Sequence, residues 1–434
     1  MTDSMEHFAA DQQFFITQPA QFMRWLPWLH IFRGFRIAID YKKMFAALLA
    51  VVTWMFASHG LLVLFQDSQD PFQIVQPNVG NLNVQQDVSF LIEKTKTWDL
   101  LSHGANKFER DDPVETFLSS RPSITSPIMR VSYWWLEMVY GKTSSAWWHG
   151  LFQVVLGLIV SALFGGWICR MAAREFTGHE RQMIRDGKFA VGQFPVAILG
   201  PAIVLSVFCI LYAINWVAGF LSRMPVMGEL ILSLSWMILN CIGFVMSLLL
   251  IGLLFGWPLM IASSAVERND AGDAMSRSLG YLWTQPWYAF FLFSLSLIYG
   301  TLLLTVVGGL THLSVAATFS SVGAGRGSEV QVLETTSLLQ FREQSQLLVE
   351  SGAGRWIMRF WLGLVALIPA AFAFSFFWSS TTIGYFLLRR REDGTPLDVI
   401  DLSDSAPLLS GLPIVGMPAA EIRESERNAG DAID

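Results

Sequence analysis

Two stretches of this chain carry the same residue types at the same spacing: Glu175, Arg185, Phe189 and Pro195, then Glu267, Arg277, Tyr281 and Pro286. In both, ten residues separate the glutamate from the arginine, and four separate the arginine from the aromatic ring. Three chemistries suit that arrangement. The two charges can meet as an ion pair if the chain folds back between them. They can stand apart as ordinary interface charges at helix ends, or the arginines can hold an acidic or phosphate-bearing group. Pairing comes first among the specific readings, because a lone charge taken out of water is costly. A binding site at Glu175, Arg185, Glu267 and Arg277 ranks behind it.

Other constellations offer less. His179 lies four residues after Glu175, but a metal needs more ligands than these two, so neither a metal nor another cofactor is expected. Gly141-Lys142-Thr143 lacks the upstream glycine of a phosphate loop, and Gly323, Gly325 and Gly327 follow no strand. Neither a G-x-S-x-G elbow nor an H-E-x-x-H helix occurs, so an enzyme is not expected. Cys169, Cys209 and Cys241 fall within or beside apolar segments and read as small fillers, not as a disulfide framework.

The elements that must position these residues follow from composition. The chain has 434 residues, 53% hydrophobic and 15% charged, with a mean hydropathy of +0.45. Soluble proteins carry about 25% charged residues, so most of this chain is solvated by something other than water. Six apolar runs, at 44–66, 150–169, 194–220, 230–262, 287–310 and 356–388, approach or exceed the roughly 20 residues that cross a bilayer. Backbone groups in hydrocarbon must pair within their own segment, so each run predicts a helix. The fold class is all-α: an integral membrane bundle of about six transmembrane helices. The two charged motifs then sit at elbows between spans two and three and between spans four and five. Both elbows fall on one side of the membrane, which implies a helix–elbow–helix unit duplicated in parallel orientation over 150–310.

Lysine and arginine set the orientation. Residues 1–43 hold Arg24, Arg33, Arg36, Lys42 and Lys43, the first elbow holds Arg170, Arg174, Arg181, Arg185 and Lys188, and the last span ends in Arg389, Arg390 and Arg391. This bias predicts that both termini lie on the cytoplasmic side of the cell membrane. The first run starts too late and runs too long for a cleaved signal, so it is expected to stay as an anchor. Upstream, residues 22–39 interleave rings with arginines and suit a helix lying in the interface. Segments 67–149 and 311–355 are expected outside the cytoplasm. The first carries helical patterns near 87–103 and 128–140; the second, a Gly/Ser-rich loop from Ser320 to Ser328 and an amphipathic helix from Val330 to Glu350. The tail, 389–434, carries ten acidic residues from Glu392 onward against Arg423 and Arg427, and reads as largely disordered.

Inside the spans, small residues repeat every fourth position: Gly157, Ser161 and Gly165 in span two, then Gly243 and Ser247, and Gly252 and Gly256, in span four. Such rows permit close helix contact and predict that spans two and four are central. Asn215 and Asn240 are candidate midplane polar groups that could bond each other. Each elbow also shows capping-box spacing, Thr177 with Glu180 and Asp270 with Asp273, which predicts a short amphipathic helix after each turn.

The stretches from Arg170 to Pro195 and from Ala265 to Pro286, with Leu387 to Asp398 at the end, resemble uncharacterised bacterial polytopic membrane families. They are similar in kind to the membrane domain attached to some glycerophosphodiester phosphodiesterases. The resemblance implies an α-helical integral membrane protein and no activity, since no phosphodiesterase domain is present. The lipid bilayer is the expected partner, together with a membrane or cytoplasmic protein and no nucleic acid. Two functional classes follow: a non-enzymatic scaffold or accessory subunit first, and a permease-like or lipid-handling protein second.

Overall fold

The computed structural model describes residues 26–65, 123–140, 144–179, 182–224, 227–327, 341, 348–349 and 352–400. The chain divides into two compact units, 1–398 and 399–434, and every element below belongs to the first. A 3₁₀ segment, Pro27–Arg33, leads into α1 (Gly34–Ala38) and α2 (Tyr41–Leu64). Then come α3 (Ser126–Tyr140), α4 (Ser144–Val160), a π-helical turn (Ser161–Gly165) and α5 (Gly166–Phe176). The long helices α6 (Met183–Leu221) and α7 (Met227–Glu267) precede α8 (Ala271–Thr284) and α9 (Pro286–Arg326). Helices α10 (Gly352–Ala366) and α11 (Ile368–Asp393) finish the bundle.

Six stretches are long and apolar enough to cross a membrane: Tyr41–Leu61, Trp147–Phe176, Met183–Leu221, Leu232–Glu267, Pro286–Arg326 and Gly352–Asp393. They overlay the six apolar runs, and the protein is an all-α, multi-pass membrane protein. The longest, at 41 residues, measure about 60 Å at 1.5 Å per residue and exceed a hydrocarbon core of about 30 Å. The excess tilts or projects beyond it.

The centre of the bundle is not where the small-residue rows point. Span two is central as expected, but span six is more so: 67% of its most apolar window is buried, against 6% for span four. In span four a Cβ at Gly243 would meet nothing within 4 Å, and the Ser247 hydroxyl turns back to Gly243 O. Small residues permit close approach without compelling it. Span six wins the centre through its rings: Phe372, Phe376, Trp378, Tyr385 and Phe386 are all at most 0% exposed, and α11 packs on α2, α5, α7 and α9. The hydroxyls that make it look polar are mostly satisfied, Thr381 by Phe377 O and Thr382 by Trp378 O.

Three further expectations are revised. The Gly/Ser-rich stretch from Ser320 is helical through Arg326 and stops at Gly327, whose φ of 69° makes a left-handed cap. Val315 and Phe319, on the turns of α9 just before that stretch, pack with Phe341 and Leu348. The first elbow has no separate short helix, because α6 runs unbroken through Pro195, whereas Pro286 stands at the N-terminus of α9 after a break at Gln285. The segment beginning at Pro27 docks on α11, burying His30, Ile31, Ile37 and Ala38, with the Ser375 hydroxyl donating to Ala38 O at 2.7 Å. Its Phe32 and Arg33 stay exposed. The helix expected at 87–103, nearly all of Val330–Glu350, Glu180 of the first capping box and the tail beyond 400 lie outside the described residues.

Candidate functional site

Both elbows lie at one end of the bundle, where Arg170 at the end of α5 reaches the end of α7. Its guanidinium donates to Ala265 O at 3.0 Å and lies 4.0 Å from the centroid of the Phe189 ring. The last carbonyls of a helix lack intrahelical partners and carry partial negative charge, so a cation is stabilised there.

In the first elbow Glu175 does not meet Arg185. It pairs with Lys43, whose side chain is fully buried and also donates to Ile37 O at 2.7 Å. Arg185 points away and touches Gln182 at 3.4 Å in an exposed position. The reason is local: α6 starts at Met183, and its first turn presents Asp186 inward instead. Asp186 Oδ1 lies 2.9 Å from Arg174 Nε, with side-chain exposures of 1% and 5%. Alignment there falls short of a hydrogen bond, so the contact is chiefly coulombic. The Trp167 indole clasps the same corner, donating to Met183 O at 3.0 Å.

In the second elbow Glu267 does meet Arg277, at 2.8 Å. The Asp270 side chain caps α8 by accepting from Asp273 N at 2.8 Å, which turns Arg277 back toward the end of α7. Arg389 of α11 takes the other carboxylate oxygen at 2.8 Å, and Asn269 adds a third bond at 2.9 Å. Tyr281 donates to Asp393, and burial, followed by that hydrogen bond, pushes its phenol well above the ordinary range, so it remains a donor. Each repeated glutamate is therefore served by a cation from a span outside its own unit, Lys43 from the first and Arg389 from the last. Lys43, Arg174, Asp186, Arg170 and Arg389 were not singled out from the sequence as partners. Only the run Arg389 to Arg391 and the position of Lys43 at the start of a span hinted at them.

Asn215 and Asn240 do not come together. Asn215 Nδ2 contacts Met246 Sδ at 3.7 Å, while Asn240 is exposed on α7. No group of three or more metal-binding side chains occurs among the described residues.

His30 adds a pH-sensitive element at the same end. Its ring stands edge-on to Phe176 at 5.5 Å between centroids, and it is 5% exposed. Burial, then the charges of Arg33 and Arg390, lower its pKa from 6.5 to about 4. The unfolded chain thus binds the extra proton first as pH falls, and stability is lost from about pH 6.5 down to about pH 4. The expected result is a fall in melting temperature between pH 7 and pH 5 that is larger in the native protein than in His30→Gln. Equal falls in the two proteins would contradict this.

The second elbow also opens a space. Helices α7 and α9 touch edge-on at Phe255 and Phe293, 5.2 Å between centroids, but α8 wedges them apart toward the elbow end. The cavity left there is about 420 Å³, roofed by Trp283 and Trp287 and floored by the Phe377–Thr381–Gly384–Leu388 stripe of α11. Two of its hydroxyls are turned inward on their own helix, Ser380 and Thr381 both donating to Phe377 O, and most of the lining side chains are apolar. Neither Asn215 nor Asn240 lines it, nor does any of the four charged elbow residues. A Cβ added at Gly384 would meet nothing within 4 Å. No family model, no curated protein and no solved structure matches the chain.

Proposed function

We propose that this protein is a non-enzymatic, lipid-handling membrane protein that holds the apolar chain of a membrane amphiphile between α7, α9 and α11. The observation that carries the reading is the apolar cavity of about 420 Å³ at the second elbow, which falls within the size range of small-molecule sites. The acyl chain leaves bilayer hydrocarbon and not water, so what it gains in the cavity is the van der Waals packing of its methylenes against the rings. A polar cargo finds little support, because the candidate asparagines are apart and the hydroxyls near the cavity are self-satisfied. A scaffold that docks its partner at the elbow glutamates finds little support, because Glu175 and Glu267 are engaged within the chain. We place the elbow end on the cytoplasmic side of an inner membrane, supported by Arg33, Arg36, Lys42, Arg174, Arg185 and Arg389 to Arg391 gathered there.

The test is native mass spectrometry of protein purified in mild detergent. The native chain should retain lipid through repeated washing, and Gly384→Leu, which fills open space on α11, should lose it without a drop in melting temperature. Equal lipid on both proteins would overturn the reading.

A further inference from the structure

Resting on the lipid-handling reading, we propose that the cavity selects an anionic, phosphate-bearing lipid, with Arg391 holding the headgroup and the acyl chain lying along Gly384 and Leu388. These three residues form one stripe: positions three and seven apart on a helix share a face, so Arg391 stands one turn beyond Leu388 at the cavity rim. Arg391 is exposed and lies 4.4 Å from the centroid of the Tyr288 ring, one residue after Trp287 on α9. It forms no ion pair among the described residues. The two carboxylates that follow it are each engaged by a neighbouring side chain. Glu392 accepts from Gln285 and Asp393 from Tyr281, so both lie against α8 and the start of α9. Arg390, half-buried, adds positive potential beside it.

The mouth has the composition of a headgroup boundary. Trp283 and Trp287, 47% and 82% exposed, line it, and tryptophan favours the level where one end of the ring is apolar and the other wet. A guanidinium there matches phosphate with a planar fork of donors. An apolar floor, an indole collar and an exposed arginine with no ion pair among the described residues are complementary to an amphiphile of negative charge.

The experiment incubates delipidated protein with equal amounts of phosphatidylglycerol and phosphatidylcholine of identical chains and reads bound lipid by native mass spectrometry. The native protein should favour phosphatidylglycerol about tenfold, equivalent to about 1.4 kcal/mol. Arg391→Gln should still bind lipid but lose the preference, and Arg391→Lys should keep part of it. Equal binding of the two lipids by native protein, or an unchanged preference in Arg391→Gln, would overturn the headgroup assignment. Displacement of phosphatidylglycerol by inorganic phosphate alone would also overturn it, since the acyl chain would then contribute nothing. Gly384→Leu separates the two proposals. If it fails to reduce lipid of either kind, the cavity itself is not the site; if it removes lipid that shows no charge preference, only the role of Arg391 fails.

Discussion

Asp186→Ala is expected to cost about 3–5 kcal/mol, the range for removing one partner of a buried ion pair. Asp186 is 0% exposed, on the first turn of α6, and Arg174 is 4% exposed. Without the carboxylate the Arg174 guanidinium keeps its full desolvation penalty and loses the charge that offsets it. The double variant Arg174→Met, Asp186→Leu removes both charges and should recover most of the loss, because apolar replacements of a buried pair are often neutral or stabilising. Arg185→Gln is the control. Arg185 is exposed and touches only Gln182 at 3.4 Å, so the change should cost less than about 0.5 kcal/mol. Melting temperatures in detergent, together with protease resistance of the purified bundle, measure all three. If Arg185→Gln proves as damaging as Asp186→Ala, the ion pairing described for the first elbow is wrong.

The second large effect is expected at Gly165. A Cβ there would stand 2.5 Å from the Trp378 ring, which is itself 0% exposed and packed edge-on to Trp257. The indole has nowhere to move, so Gly165→Val should cost at least the 1–3 kcal/mol typical of overpacking. Trp378→Ala leaves a cavity instead and should cost about 3–5 kcal/mol. Combining Gly165→Val with Trp378→Ala should be less harmful than the sum of the two, because the new side chain enters the space the ring vacates. Gly243→Val tests the same small-residue logic where the structure shows open space, and it should be neutral within about 0.5 kcal/mol. Strict additivity in the double variant, or a large loss at Gly243, would contradict the packing described for spans two and four.

The contrast between Gly165 and Gly243 shows what a residue pattern carries. Both stand in rows spaced by four that permit close approach, yet only one faces a ring. Which helix lies opposite a glycine is not written in its own neighbours. The same holds for the paired charges. Glu267 and Arg277 are ten apart, joined by a capped turn, and their meeting at 2.8 Å is a local event that spacing and capping chemistry foretold. Glu175 and Arg185 have the same spacing but not the same turn, and α6 begins so as to aim Asp186 inward and Arg185 outward. The partner of Glu175 then comes from Lys43, 132 positions away, and the second partner of Glu267 from Arg389, 122 positions away.

What the sequence alone determined is what each segment settles with its own solvent and its own backbone. Six apolar runs must become helices because amides in hydrocarbon have no other partner, and a capped turn after Glu267 must return the chain. The tertiary structure decided everything that depends on which helix stands beside which. It put span six at the centre, where the Trp378 ring fills the gap left by Gly165 of span two, and closed both elbow glutamates with cations from the first and last spans. It also opened the apolar space under α8 with Arg391 at the rim. Such contacts join residues far apart in the chain, and lipid-facing and helix-facing surfaces are equally apolar, so hydropathy does not distinguish them. Packing does.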